Sequence, residues 1–384
     1  MFTDTYLPSR DGVITSLLLS KRELERLGHE VFIFAPDPKE SHDRQKGVHY
    51  FRSMSFTHYE GYRIPVFPTN KGEILQKLGI DVIHSHGLLF QGLRAMFAGR
   101  TRKLPVVITF HTMVTEAAQY YNFTPIPHDI ASKLIWIYLR SLLQRSEAVI
   151  APTEAIKQEL LGYAPGMRRI VVIPTGIDYD RFHLGIDGSA VRHKFGLDGE
   201  KLILHVGRIA REKNLDLVLS GFRLLSREEE RARLMVVGDG PARRHYIGLA
   251  KEMGIEDRAI FTGFVPDAEL PQYYAACDIF TLASKFETQG IVILEAMACG
   301  KPVVGINYRA VAEIIRDDET GYLFEDDPES WKLVAMKALN SSNKVGEAAA
   351  LQASHYSSAE AAERLVEVYE WAIASKKARV TGKH

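Results

Sequence analysis

The run "FETQGIVILEAMACG" (286–300) holds two carboxylates, Glu287 and Glu295, separated by seven residues. Residues 291–299 are apolar except for Glu295, and a carboxylate in an apolar helix is costly unless something hydrogen-bonds it. Either it snorkels or pairs with an arginine, or it accepts hydrogen bonds from hydroxyls of a bound ligand such as a ribose. Glu287 stands before the predicted helix, beside the amides of Thr288, Gln289 and Gly290, where unpaired N–H groups and the helix dipole suit an anion. Upstream, "GRIAREKNLD" (207–216) sets Arg208 and Lys213 where a strand turns into a helix. Two cations leaving the carboxyl end of a strand can hold a diphosphate, Arg208 through two oxygens at once and Lys213 as a point charge. At about 4 Å and an effective dielectric near 20, each contact is worth roughly 4 kcal/mol before desolvation. A solvated basic turn is the plain alternative, and Arg211 suits it.

The glycine loops say less. In "VVGDGPARR" (236–244) the dinucleotide fingerprint would need a third glycine where Arg243 stands, which weakens a nicotinamide or flavin reading. Gly238 still suits a short loop against a nucleotide base or phosphate. Gly12, in "TYLPSRDGVITS" (5–16), is a second opening for close backbone approach to a ligand. His84, His86 and His111 end adjacent predicted strands, and His84 and His86 share a strand face. Three histidines invite zinc, but no Glu or Cys stands nearby at ligand spacing. His111 suits substrate contact, whereas packing explains His84 equally well. Asp178 and Asp180 in "DYD" read as a solvated turn and not as a metal-holding pair.

These residues need elements to carry them. Apolar, β-branched runs predict strands over 30–36, 81–87, 105–111, 147–153 and 169–176, and again over 201–208, 233–240, 258–264, 278–284 and 301–307. Patterns of helical length lie between them, as at 13–28, 213–226, 241–253 and 289–299. Alternation of this kind implies parallel βαβ units in doubly wound sheets. Residues 174–200, rich in Gly and Asp with little periodicity, read as a linker between two domains, and 356–377 as an amphipathic helix.

Composition bounds the function. The 384 residues include 48 basic and 48 acidic side chains, for a net charge of zero, so nothing global favours nucleic acid. The length favours two domains. Cys277 and Cys299 are too few for a disulfide framework and read as small buried hydrophobes, with a cytosolic chain the default. No apolar run nears the roughly 18 residues of a membrane span, and no signal-peptide pattern opens the chain. Secreted, collagenous, integral-membrane and histone-like classes are excluded.

Taken together, "FTDTYLPSRDGV", "LERLGHEVFIFAP", "DVIHSHG", "FHTM", "PTGID", "HVGRIAREKN", "VVGDGP", "FTGFV" and "ETQGIVILEAMACGKPVV" resemble the retaining family 4 glycosyltransferases, across nearly the whole chain. The resemblance implies an α/β chain of GT-B fold, with two Rossmann-like doubly wound parallel-sheet domains facing across a cleft. It implies an acceptor-binding domain at 1–178, a nucleotide-sugar-binding domain at 179–355, and a helix at 356–384 crossing back to the first domain. It also implies that members begin with a full strand before "FTDTYLP", so that this chain's first strand looks clipped.

The implied activity is hexosyl transfer from a nucleotide-diphosphate sugar, UDP-glucose favoured, to a hydroxyl acceptor, with retention and with neither metal nor other cofactor. Glu295 would bind the ribose, while Glu287 and the amides of Thr288, Gln289 and Gly290 would address the donor sugar. Arg208 and Lys213 would neutralise the diphosphate. Gly12 and Gly238 would approach the nucleotide, with Phe264 and Val265 near the base, and His111 would lie by donor sugar and acceptor. "FHTM" and "ETQG" look most like transferases that glucosylate diacylglycerol or related lipids. After "HTM" those carry an aromatic and a Glu-Asp pair, where this chain has Val114, Thr115 and Glu116, with Tyr120 and Tyr121 following. A helix at 92–104, mixing Leu93, Met96, Phe97 and Leu104 with four cations, would suit the inner face of a membrane, and reads equally well as an ordinary helix with a basic exposed end. A nucleotide-sugar epimerase, a glycoside phosphorylase or a catalytically silent sugar-binding partner are the rival readings on the same fold.

Overall fold

Strands built from unbroken apolar runs have no polar face, so helices must cover both sides of their sheet. The computed structural model describes residues 1–7, 11–38, 44–55, 63–65, 72–111, 128–341 and 343–382. Two compact units result, Met1–Gly176 with Ser358–His384, and Ile177–Ser357.

In the first unit, β1 (Ile33–Pro36) pairs in parallel with β2 (Val48–Phe51). A short antiparallel pair, β3 (Ser53–Ser55) and β4 (Arg63–Pro65), follows. β5 (Ile83–Ser85), β6 (Val106–Thr109), β7 (Ala148–Ala151) and β8 (Ile170–Val172) pair in parallel in that order. Phe2 joins the two groups, bridging Phe34 on one side and Ser85 on the other. The strand order therefore reverses between residues 1–3 and β5. The terminal helix, Ser358–Thr381, packs on the helix Gly12–Arg26 and covers one face of this sheet through Leu365, Val368 and Ala372. Buried Glu147 anchors its far end, accepting from the Val106 amide and pairing with Arg168, Lys376 and Arg379.

In the second unit, β9 (Lys201–Val206), β10 (Ala232–Val237), β11 (Ala259–Gly263), β12 (Ile279–Leu282), β13 (Val303–Ile306) and β14 (Gly321–Phe324) form one parallel sheet. Its order is β11-β10-β9-β12-β13-β14, with the reversal between β9 and β12. Ligands of open α/β sheets bind where the order reverses, outside the carboxyl ends of the strands.

All ten predicted strands are present, whereas β2, β3, β4 and β14, each of three or four residues, carried too little pattern to be read. The proposed linker is mostly core. Ile177, Phe182, Val191 and Leu197 are buried in the second unit, and Ser189–Phe195 is helical. Asp178 is buried, not solvated, and its carbonyl accepts from the Arg181 and Phe182 amides in a turn.

Candidate active site

The loops on either side of the β9/β12 reversal carry the charged residues. Arg208 follows β9, half-buried, and Lys213 closes the short 3-10 turn Arg211–Lys213. Across the reversal, Glu287 lies five residues past β12 and its Oε1 sits 2.6 Å from Lys213 Nζ. Burial works to raise the Glu287 carboxyl, but the Lys213 charge and hydrogen bonds from Lys213 and Ser284 outweigh it and hold the group below its ordinary range. Gly290, at φ 81°, caps the helix Ile291–Ala298 in a conformation that favours glycine. Thr288 and Gln289 are buried just before it.

Glu295 sits one turn into that helix, 9% exposed, and accepts a 2.7 Å hydrogen bond from Tyr274. Burial raises its carboxyl to about 7 against the opposing Tyr274 hydrogen bond and Arg181 charge. Behind Lys213, the imidazole of fully buried His205 bonds the Thr281 carbonyl through Nδ1 at 3.2 Å. A carbonyl only accepts, so Nδ1 carries the proton. Burial pushes this ring down to about 4, which keeps it neutral.

The sheet of the first unit places three histidines together at its own reversal. His84 and His86 lie at the end of β5, their rings 4.2 Å apart, on one strand face as the period-two spacing requires. His84 Nδ1 is 2.6 Å from Tyr369 of the terminal helix, and its Nε2 is 2.7 Å from Thr109. His86 Nδ1 lies 2.9 Å from His111 Nε2. Burial lowers all three imidazoles, His111 to about 4. Among the described residues no group of three or more His, Cys, Asp or Glu stands where it could hold a metal ion.

Residues 10–181 match the family described as Glycosyltransferase Family 4, and residues 189–352 that described as Glycosyl transferases group 1. An alpha-monoglucosyldiacylglycerol synthase of Streptococcus pneumoniae is 33% identical over 332 residues, spanning 84% of this chain and 74% of that protein. The chain belongs to the family 4 glycosyltransferases. A GDP-mannose-dependent alpha-mannosyltransferase of Mycobacterium tuberculosis is 28% identical over 83% of this chain and 82% of its own length. The crystal structure of Anabaena Alr3699/HepE in complex with UDP and glucose matches with a TM-score of 0.77 at 19% identity, covering 96% of this chain and 98% of that one. The glycosyltransferase thus has the GT-B fold, and it is an enzyme.

In this glycosyltransferase Arg208, Lys213, Glu287, Thr288, Gln289, Gly290 and Glu295 all fall on the loops and helix flanking one reversal of the second sheet. Gly238, Phe264 and Val265 follow the neighbouring strands β10 and β11, with the Phe264 ring 63% exposed and Val265 buried. Glycine at 238 is required by its neighbour strand, since a Cβ there would lie 1.9 Å from the Gly207 carbonyl oxygen. Gly12 opens the helix Gly12–Arg26, whose first turn is capped by the Asp11 carboxylate. His111 lies with His86 in the first unit. Val114, Thr115, Glu116, Tyr120 and Tyr121 fall outside the described residues. Tyr274, Ser284, His205 and Tyr369 escaped the sequence reading. Tyr274 reaches Glu295 and Tyr369 reaches His84 from far along the chain, where no local spacing marks the pair, whereas Ser284 stands three residues before the Glu287 it bonds.

The basic helix differs from expectation. Arg94 is buried with its guanidinium 4.1 Å from the Phe51 ring centre, and Met96 and Leu104 pack into the core. Leu93 and Phe97 remain exposed, beside exposed Arg100, Arg102 and Lys103. The helix His128–Arg145 packs beside it. It exposes Ile130, Leu134 and Ile137, a stripe at helical spacing, together with Lys133 and Arg140. Among the described residues no helix is long and apolar enough to cross a membrane. Cys277 and Cys299 are buried free thiols, and burial pushes each up to about 12.

Proposed function

We propose that this glycosyltransferase moves glucose from UDP-glucose to a hydroxyl of a diacylglycerol-type lipid, with retention of configuration and without a metal ion. The observation that carries the reading is the cation pair of Arg208 and Lys213 at the sheet reversal, beside Glu287 and the N-terminus of the helix Ile291–Ala298. Negative charge grows on the departing diphosphate, and fixed cations and helix amides aimed at that charge lower the barrier. Lys213 is shared with Glu287, so the lysine is held in place by the carboxylate that addresses the sugar. Glu295, at the far side of the same helix turn, suits the ribose hydroxyls, and Phe264 offers an exposed ring for the base. His111 is assigned to the acceptor side.

The donor preference draws on the UDP and glucose named for the Anabaena structure, and the lipid acceptor on the diacylglycerol synthase relative. A lipid acceptor requires contact with a bilayer surface, and the exposed stripes of the two first-unit helices supply apolar residues flanked by cations. The test is turnover of UDP-glucose with diacylglycerol. Arg208→Ala and Lys213→Ala are each expected to lower turnover at least about a hundredfold with the fold intact by circular dichroism. Near-normal turnover in both variants overturns the assignment, conversion of the donor without any acceptor identifies an epimerase, and release of glucose 1-phosphate with phosphate a phosphorylase.

A further inference from the structure

We propose that Arg181 is a positioning residue for the nucleotide, holding the loop of Phe264 and Val265 and the carboxylate Glu295 in one arrangement. This inference rests on the assignment of Phe264 to the base and Glu295 to the ribose. It begins with a turn in which the Asp178 carbonyl accepts from the Arg181 and Phe182 amides at 3.0 and 2.9 Å. From that turn, Arg181 Nη2 donates to the Asp267 carbonyl at 2.6 Å, a charge-assisted bond and so stronger than a neutral one. Asp267 stands three residues after Phe264 and three before Leu270, where the helix Leu270–Ala276 begins. That helix carries Tyr274, the donor to Glu295. One guanidinium therefore fixes the joint between the base loop and the helix that supports the carboxylate.

Phe182 makes the second connection. Its buried ring meets the Tyr274 ring edge-on, the centroids 5.7 Å apart and the planes at 80°. The Arg181 guanidinium lies 5.1 Å from the centre of the Phe182 ring, within the range at which a cation is attracted to an aromatic face. Arg181, Phe182, Tyr274 and Glu295 thus form a continuous path of contacts. Charge acts between its two ends. Burial and the Asp267 carboxylate disfavour the ionised form of Glu295, whereas the Tyr274 hydrogen bond and the Arg181 charge favour it. Tyr274 and Cys299, which also face it, are both pushed up by burial and stay uncharged near neutral pH. Arg181 is therefore the positive charge that keeps Glu295 available as an acceptor for ribose hydroxyls. A role confined to packing would leave the Glu295 proton where it is.

The test reads the Glu295 carboxyl by carbon-13 NMR in the full chain, its signal assigned by its absence from Glu295→Gln. Calorimetric titration with UDP at pH 7 and pH 9 accompanies it. Arg181→Met keeps an unbranched stem over the Phe182 ring and removes the charge. It is expected to move the Glu295 midpoint from about 7 to about 8, so that the ionised fraction at pH 7 falls from about half to about a tenth. UDP binding is then expected to weaken at least about fivefold at pH 7 and markedly less at pH 9, where Glu295 is ionised in both proteins. Arg181→Lys restores the charge and is expected to return the midpoint to about 7 and UDP affinity to within about threefold of wild type. If Arg181→Met does not fold, Arg181→Gln carries the same expectation. An unmoved Glu295 midpoint in the folded variant, or an affinity loss equal at the two pH values, overturns the proposal. A moved midpoint with unchanged UDP affinity at pH 7 overturns the ribose assignment and, with it, the nucleotide role of Arg181. Because the midpoint is read without ligand, the two failures are told apart.

Discussion

Glu295, proposed as the ribose ligand, would serve ligand and fold in opposite directions. Its carboxyl titrates near 7 in the folded chain, against an ordinary value of 4.5. The folded state therefore holds this proton more tightly than the unfolded state. The resulting stability is complete below pH about 4.5, declines as pH rises, and is lost above about 7. The amount is about 3 kcal/mol from the size of the shift. Ribose hydroxyls prefer the ionised form, so donor affinity should rise over the same interval. Glu295→Gln keeps an acceptor for Tyr274 and never ionises. It is expected to match wild type in urea denaturation at pH 5 and exceed it at pH 8, while binding UDP-glucose about tenfold or more weakly at pH 8. Equal denaturation midpoints for the two proteins at pH 8 would count against the buried-carboxylate account. The same residue shows what a sequence discloses. A lone carboxylate among eight apolar neighbours announces itself, and so do two cations leaving a strand. Tyr274, the partner that receives Glu295, is one of two adjacent tyrosines and carries no such mark; the choice between them is made by the packing of the helix Leu270–Ala276.

At the level of elements, helix packing overrides local preference. Gly221 lies in the middle of the helix Leu215–Leu225, where alanine would ordinarily gain about 1 kcal/mol. A Cβ there would stand 2.5 Å from Trp331 Cε3 and 3.0 Å from the Pro328 carbonyl oxygen. Trp331 cannot give way, being fully buried and donating to Thr281 Oγ1 at 2.9 Å. Gly221→Ala is therefore expected to destabilise the chain by about 1–2 kcal/mol, as a lowered urea midpoint, because overpacking exceeds the propensity gain. An unchanged or raised midpoint would mean that the two helices can part at little cost. The helix itself was plain from its apolar period, but the glycine's reason lies over a hundred residues away. Conversely, β14 escaped notice because "GYLF" is four residues long, and its strand character comes from the β13 edge it completes.

On the scale of the whole molecule, 48 positive and 48 negative side chains cancel, so no long-range field draws this enzyme to an anionic surface. The membrane contact proposed with the lipid acceptor must then arise locally. The helices Phe90–Arg102 and His128–Arg145 lie side by side and expose Phe97 at 72% and Ile137 at 67%, with Leu93, Ile130 and Leu134. Around them stand Arg100, Arg102, Lys103, Lys133 and Arg140, each worth about 1 kcal/mol near an anionic leaflet and screened by salt within a Debye length. Co-sedimentation with phosphatidylglycerol vesicles should therefore exceed that with phosphatidylcholine vesicles and fall steeply between low and high salt. The double change Phe97→Asp and Ile137→Asp removes apolar contact and adds repulsion at exposed sites where stability responds little. It is expected to cut vesicle binding at least about tenfold while UDP-glucose binding in solution is retained. Equal sedimentation of the variant and wild type would move the membrane contact to another surface of the molecule.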